Sequence, residues 1–376
     1  EKEAYFGGVA ALNLLHDNSF VTIDIGGGST EFCFVKNGKI EKSISLNIGT
    51  VRIKELYFNK DNIEGARKYI LDELKKISDL GIEIPKRVVG IGGSIRALSK
   101  MVMTNNNYPL DILHGYTYCV KEEISLFRKI VEARNNDDLK SLGVKKDRFD
   151  TIKEGAFIFK TILDELSIQE VVTSGVGVRE GAYLTDLLRN SNHKFPSNFN
   201  VSVRSLLDRF QIDEKQSAYL GNNAKKIFEV LKPLHKLDDK YKALLVISSK
   251  LNSIGSTLNF YKSNDNAFDF ILNGLNYDFL HTSRILVAHT IKFSKKSLPT
   301  KADILKYEKL LPSLDVMKWM SFMISLNIAV NQDFSRPKVS YELEGNVLKV
   351  ILSNNSFLIE SNIDKLESPE DLIIKL

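Results

Sequence analysis

Two carboxylates flank a run of three glycines in the string D-I-G-G-G-S-T-E, from Asp24 to Glu31. Gly26, Gly27 and Gly28 tolerate positive φ and carry no Cβ to hold a ligand off the backbone. Their N–H groups, with the hydroxyls of Ser29 and Thr30, can form a concavity that holds an anion. Asp24 and Glu31 beside such donors suit a hard cation that bridges to phosphate. A Gly-rich turn with incidental acids is the plainer alternative, and the density of the string weighs against it. A second glycine turn, Gly92-Gly93-Ser94, opens a helical stretch whose N-terminus offers N–H donors and a positive dipole end. Alone, that string is equally a sign of tight strand–helix packing; beside the first it gains weight.

The elements around these turns are readable. Residues 20–25, F-V-T-I-D-I, form a strand rich in β-branched and aromatic types, of the buried kind. F-C-F-V continues as a strand to Asn37-Gly38, a strong hairpin signal, and K-I-E-K-S-I-S-L returns. Residues 1–15 read as a short helix weakened by Gly7 and Gly8, each costing roughly 1 kcal/mol relative to Ala. Residues 61–80 read as an amphipathic helix, with Asp61 and Glu64 as a capping box, Ile63, Ala66, Ile70, Leu74 and Ile77 on one face, and Gly81 at its end. Residues 87–91 and 170–174 are further strands, and residues 148–166 are read as a helix. Strand–glycine–helix units at Gly26, Gly92 and Gly175 imply an α/β layer architecture with a ligand cleft at the strand ends.

A chain of 376 residues can bury large cores and is expected to hold two or three domains. Its 26% charged and 43% hydrophobic residues describe an ordinary globular protein. The net charge of +5 suits a polyanionic ligand weakly. Cys33 and Cys119 make neither a disulfide framework nor a zinc pattern, which fits a reducing cytoplasm. No apolar run reaches the length of a membrane helix, no signal peptide is visible, and nothing points to specific nucleic-acid binding.

In order along the chain, D-I-G-G-G-S-T-E, S-L-x-x-G, G-x-G-G-S, L-H-G at Leu113 to Gly115 and R-E-G at Arg179 to Gly181 resemble the exopolyphosphatase / guanosine pentaphosphate phosphohydrolase family. The resemblance covers most of residues 1–190. It implies the sugar kinase–actin–heat-shock ATPase fold, an actin-like, ribonuclease H-like α/β lobe that closes on phosphates. It implies that Asp24 and Glu31 are magnesium-associated carboxylates. It assigns Gly26, Gly27, Gly28, Ser29, Thr30, Gly92, Gly93 and Ser94 to phosphate cradles and Arg148 to a phosphate contact. The family's catalytic base stands in an E-A dipeptide matched here by Glu3-Ala4, with Glu3 21 positions before Asp24. Arg179 fits its motif but can equally be structural, pairing with Glu180 or a helix end. Family members open with a further glycine-containing phosphate loop. No stretch here corresponds to it, so this chain, opening on a non-Met Glu in a helical pattern, is expected to begin within a domain and to supply half of the cleft.

The domains expected are the actin-like lobe at 1–190, a helical HD-like domain at 191–335, and a small β-rich tail at 336–376. Residues 190–200 are polar and unpatterned and read as a linker. Where the resemblance places metal-binding His-Asp and further histidines, this sequence has Asn252, Ser253, Ser263 and Asn266. His281 and His289 remain and are read as packing or surface residues, so this domain is expected to be metal-free. In the tail, K-V-S-Y-E-L and V-L-K-V-I-L form a hairpin, with S-F-L-I-E-S as a candidate further strand.

The function implied is a cytoplasmic hydrolase that releases terminal phosphate from polyphosphate or guanosine pentaphosphate. Magnesium is its cofactor, Glu3 activates water, and a homodimer is the expected assembly. A non-catalytic sensor of the same ligands, and a kinase of the same fold, stay open at this point. Backbone cradles read phosphates and not what hangs from them, so the substrate within this class is not separated.

Overall fold

The strand that carries Asp24 lies at the middle of a six-stranded sheet. A computed structural model describes residues 1–354 and 356–376, in two units, Glu1–Phe199 and Asn200–Leu376. In the first unit the elements run α1 (Lys2–Leu14), β1 (Phe20–Ile25), β2 (Thr30–Lys36), β3 (Lys39–Leu46), α2 (Thr50–Leu56), α3 (Ile63–Ser78), β4 (Arg87–Ile91), α4 (Gly92–Asn105), β5 (Thr117–Cys119), α5 (Val120–Glu132), α6 (Asn136–Ser141), α7 (Ile152–Glu165), β6 (Glu170–Thr173) and α8 (Val178–Leu187).

The sheet order is β3-β2-β1-β4-β6-β5. Strands β1, β4 and β6 are parallel, with Asp24 opposite Ile91 and Gly90 opposite Thr173, so their carboxyl ends share one edge. The other strands are antiparallel to their neighbours. Side chains alternate between two buried faces. Val21, Ile23, Phe32, Phe34, Val88 and Val171 pack with α3, α4, α5 and α7, whereas Phe20, Cys33, Val35, Val89 and Val172 pack on the other side, with Ala11 and Leu15. Burial on both faces explains why these strands read as nearly continuous apolar runs.

Several local expectations stand as read, and others are corrected. Asn37 (φ 48°) and Gly38 (φ 72°) turn β2 into β3. The cap of α3 is Asn62, whose side chain accepts from the Gly65 N–H; Asp61 is left-handed (φ 52°) and only closes the preceding turn. Arg148 lies in a 3-10 turn, Lys146–Arg148, ahead of α7 and not within a helix. None of Gly26, Gly27 and Gly28 takes positive φ, whereas Gly92 does, at 81°.

The second unit runs α9 (Val201–Arg209), α10 (Glu214–His235), α11 (Asp239–Leu251), α12 (Ser263–Gly274), α13 (His281–Lys292), α14 (Lys301–Ile304), α15 (Leu314–Ala329), β7 (Val339–Glu344), β8 (Val347–Leu352), α16 (Phe357–Ile363) and β9 (Ile373–Lys375). Helix α15 is buried almost all round. A polar network ties it to α10 and the hairpin: Asn327 donates to the Leu220 carbonyl and the Ser249 hydroxyl, and Asn223 donates to Asn327 and the Tyr341 hydroxyl. Such a network is stabilising because each member is satisfied. S-F-L-I-E-S is a helix and not a strand. Ser356 accepts from the Ile359 N–H to cap it, and Ile359 and Ile363, one turn apart, are both buried. The third strand of this sheet is β9, parallel to β8.

Candidate active site

Three loops meet at the shared carboxyl edge of β1, β4 and β6. In the first, the Gly26 N–H donates to the Ser29 carbonyl at 2.9 Å. The carbonyls of Gly26 and Gly27 accept from the N–H groups of Thr50 and Val51, and that of Gly28 from Arg52 Nε. The loop is thereby seated on the N-terminus of α2. A Cβ at Gly49 would stand 2.2 Å from the Gly27 carbonyl oxygen, which accounts for the glycine of S-L-N-I-G. A Cβ at Gly28 would meet nothing within 4 Å, so the crest of the loop is open. Thr30 is turned inward, its hydroxyl donating to the Ile48 carbonyl, and is spent on the fold. Ser29 donates to Glu31 Oε1 at 2.5 Å, and Ser45 donates to the same oxygen at 3.1 Å. Glu31 is buried and held by hydroxyls.

The second loop is built against the first. A Cβ on Gly92 would overlap the Asp24 carboxylate, and one on Gly93 would stand 2.9 Å from a terminal nitrogen of Arg148. Ser94 lies beside Gly155 of α7, whose Cβ would be 3.3 Å from that of Ser94. The structure therefore brings Asp24, Gly92, Gly93, Ser94 and Arg148 together at the N-terminus of α4. Arg148 also faces Asp147, at 3.6 Å.

Glu3 comes to the same place by way of α1. A Cβ on Gly8 would collide with Cys33 Sγ at 2.2 Å, and one on Gly7 would touch Ile91 at 3.2 Å. Gly181 of α8 admits the Phe6 carbonyl oxygen, 1.8 Å from where its Cβ would be. The glycines that weaken α1 as a helix are what lets it lie close on the sheet and against α8. Two residues of the R-E-G motif have structural roles: Gly181 makes this crossing, and Glu180 caps α8 by accepting from the Gly177 N–H at 2.8 Å.

Charge accumulates at Asp24. Burial, then the nearby Glu31 and to a smaller extent Glu3, push its carboxyl up to about 6, while Arg96 works in the opposite direction. Arg96 was not singled out in the sequence. Its guanidinium is fixed by the carbonyls of Ser174, at 2.7 Å, and Val176, at 3.1 Å, in the third loop. The available signal was its spacing: four residues after Gly92, it returns to the same face of α4 one turn later. His114 of L-H-G is a strut, accepting from the Gly175 N–H through Nδ1 and donating from Nε2 to the Leu14 carbonyl. A pocket of about 550 Å³ adjoins Gly93, with Arg96, Lys100, Lys145 and Arg148, and the carboxylates of Asp111 and Asp147, around an apolar wall of Met101 and Val144.

Two neighbouring carboxylates, Asp24 with its raised proton affinity and Glu31, beside glycine loops and cations, suit a magnesium ion held by one or two carboxylates and its ligand's phosphates. Two of the positions marked in the second unit are engaged within its fold: Asn266 donates to the Gly255 carbonyl, and His289 packs among Phe268, Phe293 and Tyr307. Among the described residues no helix is long and apolar enough to cross a membrane.

Over 188 residues the chain is 30% identical to the bifunctional 3-dehydroquinate synthase/phosphatase of Fusobacterium nucleatum, covering 46% of this chain and 27% of that protein. It is 24% identical over 309 residues to the guanosine-5'-triphosphate,3'-diphosphate pyrophosphatase of Photobacterium profundum, covering 79% and 59%. The solved Ppx/GppA protein of Aquifex aeolicus is 28% identical, with 51% of this chain and 63% of that one covered and a TM-score of 0.43. The chain thus spans less than two thirds of each. Residues 1–190 match the Ppx/GppA phosphatase family. The chain belongs to that family.

Proposed function

We infer that this protein hydrolyses a terminal phosphoanhydride, releasing orthophosphate from guanosine pentaphosphate or linear polyphosphate. The observation that carries the reading is the meeting of Asp24, Gly92, Gly93 and Arg148 at the start of α4, with Glu3 close enough to act on Asp24. Phosphoryl transfer needs positioning, neutralisation of charge and a directed water. The α4 N-terminus and the Arg148 guanidinium draw the transferred phosphoryl group toward Gly93, while the open crest at Gly28 leaves room for its neighbour. The pocket around Arg96, Lys100 and Lys145 accepts the rest of a polyanion. Glu3, exposed at the start of α1, takes the proton from the attacking water. Asp24 and Glu31 would hold magnesium, which when bound neutralises phosphate charge. We further read the helical part of the second unit as HD-like, with Asn252, Ser253, Ser263 and Asn266 in place of metal ligands, and the protein as cytoplasmic.

The test is phosphate release from both substrates, using protein made from the complete reading frame. Turnover is expected in the parent and a loss of about 10² to 10⁴-fold in Glu3→Gln, with substrate binding kept. Binding without release over hours would make the protein a sensor, and parent-like turnover in Glu3→Gln would remove the base from the mechanism.

A further inference from the structure

The first unit holds a second cavity, of about 570 Å³, between α1, the Asn37-Gly38 turn and residues 191–196. The segment expected to be a linker is built into its wall. Tyr5 Oη and His193 Nδ1 are 2.6 Å apart, Asn13 donates to the His193 carbonyl at 2.8 Å, and the Phe195 N–H donates to Asn13 Oδ1 at 2.9 Å. Asn192 and His193 both take positive φ, 55° and 57°, a left-handed turn that these two residue types adopt more readily than most others.

The charge of this cavity has one sign. Lys39, His193 and Lys194 line it together with the amides of Asn37 and Asn192, and among the described residues no carboxylate does. Lys194 Nζ lies over the hairpin turn, 2.5 Å from where a Gly38 Cβ would be. The His193 imidazole, engaged at Nδ1 by the Tyr5 hydroxyl, adds a further polar group to this wall. Val9, Leu12, Ile40, Phe195 and Pro196 supply apolar walls that lower the local dielectric and strengthen attraction for an anion.

We propose that this cavity binds a small, multiply charged anion of the phosphate class, held by Lys39, His193 and Lys194 and separate from the Asp24–Gly92 site. A ligand here joins the hairpin turn to residues 191–196, and both to α1, the helix that carries Glu3. The proposal does not rest on the activity assigned to the main site.

The probe is tripolyphosphate, titrated calorimetrically at fixed ionic strength without divalent cations, in an Arg148→Ala background that weakens the main site. Saturable one-to-one binding is expected there, weakened at least tenfold by Lys39→Ala with Lys194→Ala. Both lysines are exposed, and unchanged circular dichroism will show that the fold is kept. The control pair Lys75→Ala with Lys76→Ala removes equal charge from α3 and is expected to leave affinity unchanged. Equal weakening by both pairs means adventitious charge attraction only and overturns the site. So does an affinity indifferent to Lys39 and Lys194, or complete loss of binding with Arg148→Ala alone.

Discussion

A Cβ placed on Gly92 would stand 2.0 Å from Oδ1 of Asp24, so the carboxylate at the end of β1 occupies space that only glycine leaves free. The same glycine sits at φ 81°, where a side chain is strained irrespective of its neighbours. Gly92→Ala is therefore expected to destabilise the protein by roughly 1 to 3 kcal/mol and to displace Asp24, with loss of phosphate release. Gly28→Ala is the contrast. Its Cβ meets open space and its φ is ordinary, so stability should stay within about 0.5 kcal/mol of the parent. Denaturant titrations of the two variants check both, and equal stability losses would contradict the geometry.

Asp24 is held at a cost to the fold. Its carboxyl titrates near 6 in the folded chain against an ordinary 3.8, because burial and Glu31 disfavour the charged form. Below about pH 4 both folded and unfolded chains hold the proton. As pH rises from about 4 to 6 the unfolded chain releases it first, so stability falls, and above about 6 the loss is complete. Asp24→Asn removes this dependence. In magnesium-free buffer at pH 7.5 it should be more stable than the parent by up to about 3 kcal/mol, with the gap closing below pH 4. Its activity should be low and partly recovered at raised magnesium. A variant no more stable than the parent at pH 7.5 would show that the carboxylate is well compensated.

His289 gives the second unit the opposite slope. Burial among aromatic rings, helped by Lys292, depresses its pKa from 6.5 to about 4, while its bond to the Ile285 carbonyl pulls the other way. As pH falls through 6.5 the unfolded chain gains a proton that the folded one refuses. Stability of this unit is therefore lost progressively between about pH 6.5 and 4, by up to about 3 kcal/mol. Trp319, the single tryptophan, is buried in the same unit and reports its unfolding by fluorescence. In His289→Phe the slope over that window should flatten; a slope kept in full would assign it to other groups.

What the sequence revealed of this site follows from how its parts are encoded. Asp24, the glycine turns and the hairpin at Asn37-Gly38 are local strings whose chemistry and geometry are written in adjacent residues. Arg148 reads from the sequence as part of a helix but lies in a 3-10 turn before α7, which leaves little trace in apolar periodicity. Arg96 escaped because its role depends on carbonyls of Ser174 and Val176, far along the chain. Gly7, Gly8 and Gly181 looked like weak points or motif letters. Their purpose is visible only when Cys33, Ile91 and the Phe6 carbonyl are found against them. Residues 356–361 misled because an apolar run of that length fits strand or helix, and the Ser356 cap decides for helix.

The Gly181–Phe6 crossing gives the sharpest test of how Glu3 is positioned. The Phe6 carbonyl oxygen stands 1.8 Å from the Cβ that alanine would add, and this neighbour is backbone, which cannot swing aside as a side chain would. Gly181→Ala must then push α1 away from α8, while Gly7 and Gly8 still tie it to the sheet. The expected result is a loss of roughly 1 to 3 kcal/mol in stability and a tilt at the start of α1, where Glu3 sits. The groups proposed to hold the phosphate, Arg148 and the α4 N-terminus, are left in place. The kinetic signature should therefore be a kcat lowered at least tenfold with KM little changed, the mark of an interaction lost in the transition state. Adding Glu3→Gln to Gly181→Ala should then lower kcat by far less than Glu3→Gln does alone, because both changes remove the same contribution. Full additivity of the two substitutions would mean that α1 and Glu3 keep their places when Gly181 is filled, and that the crossing serves stability alone.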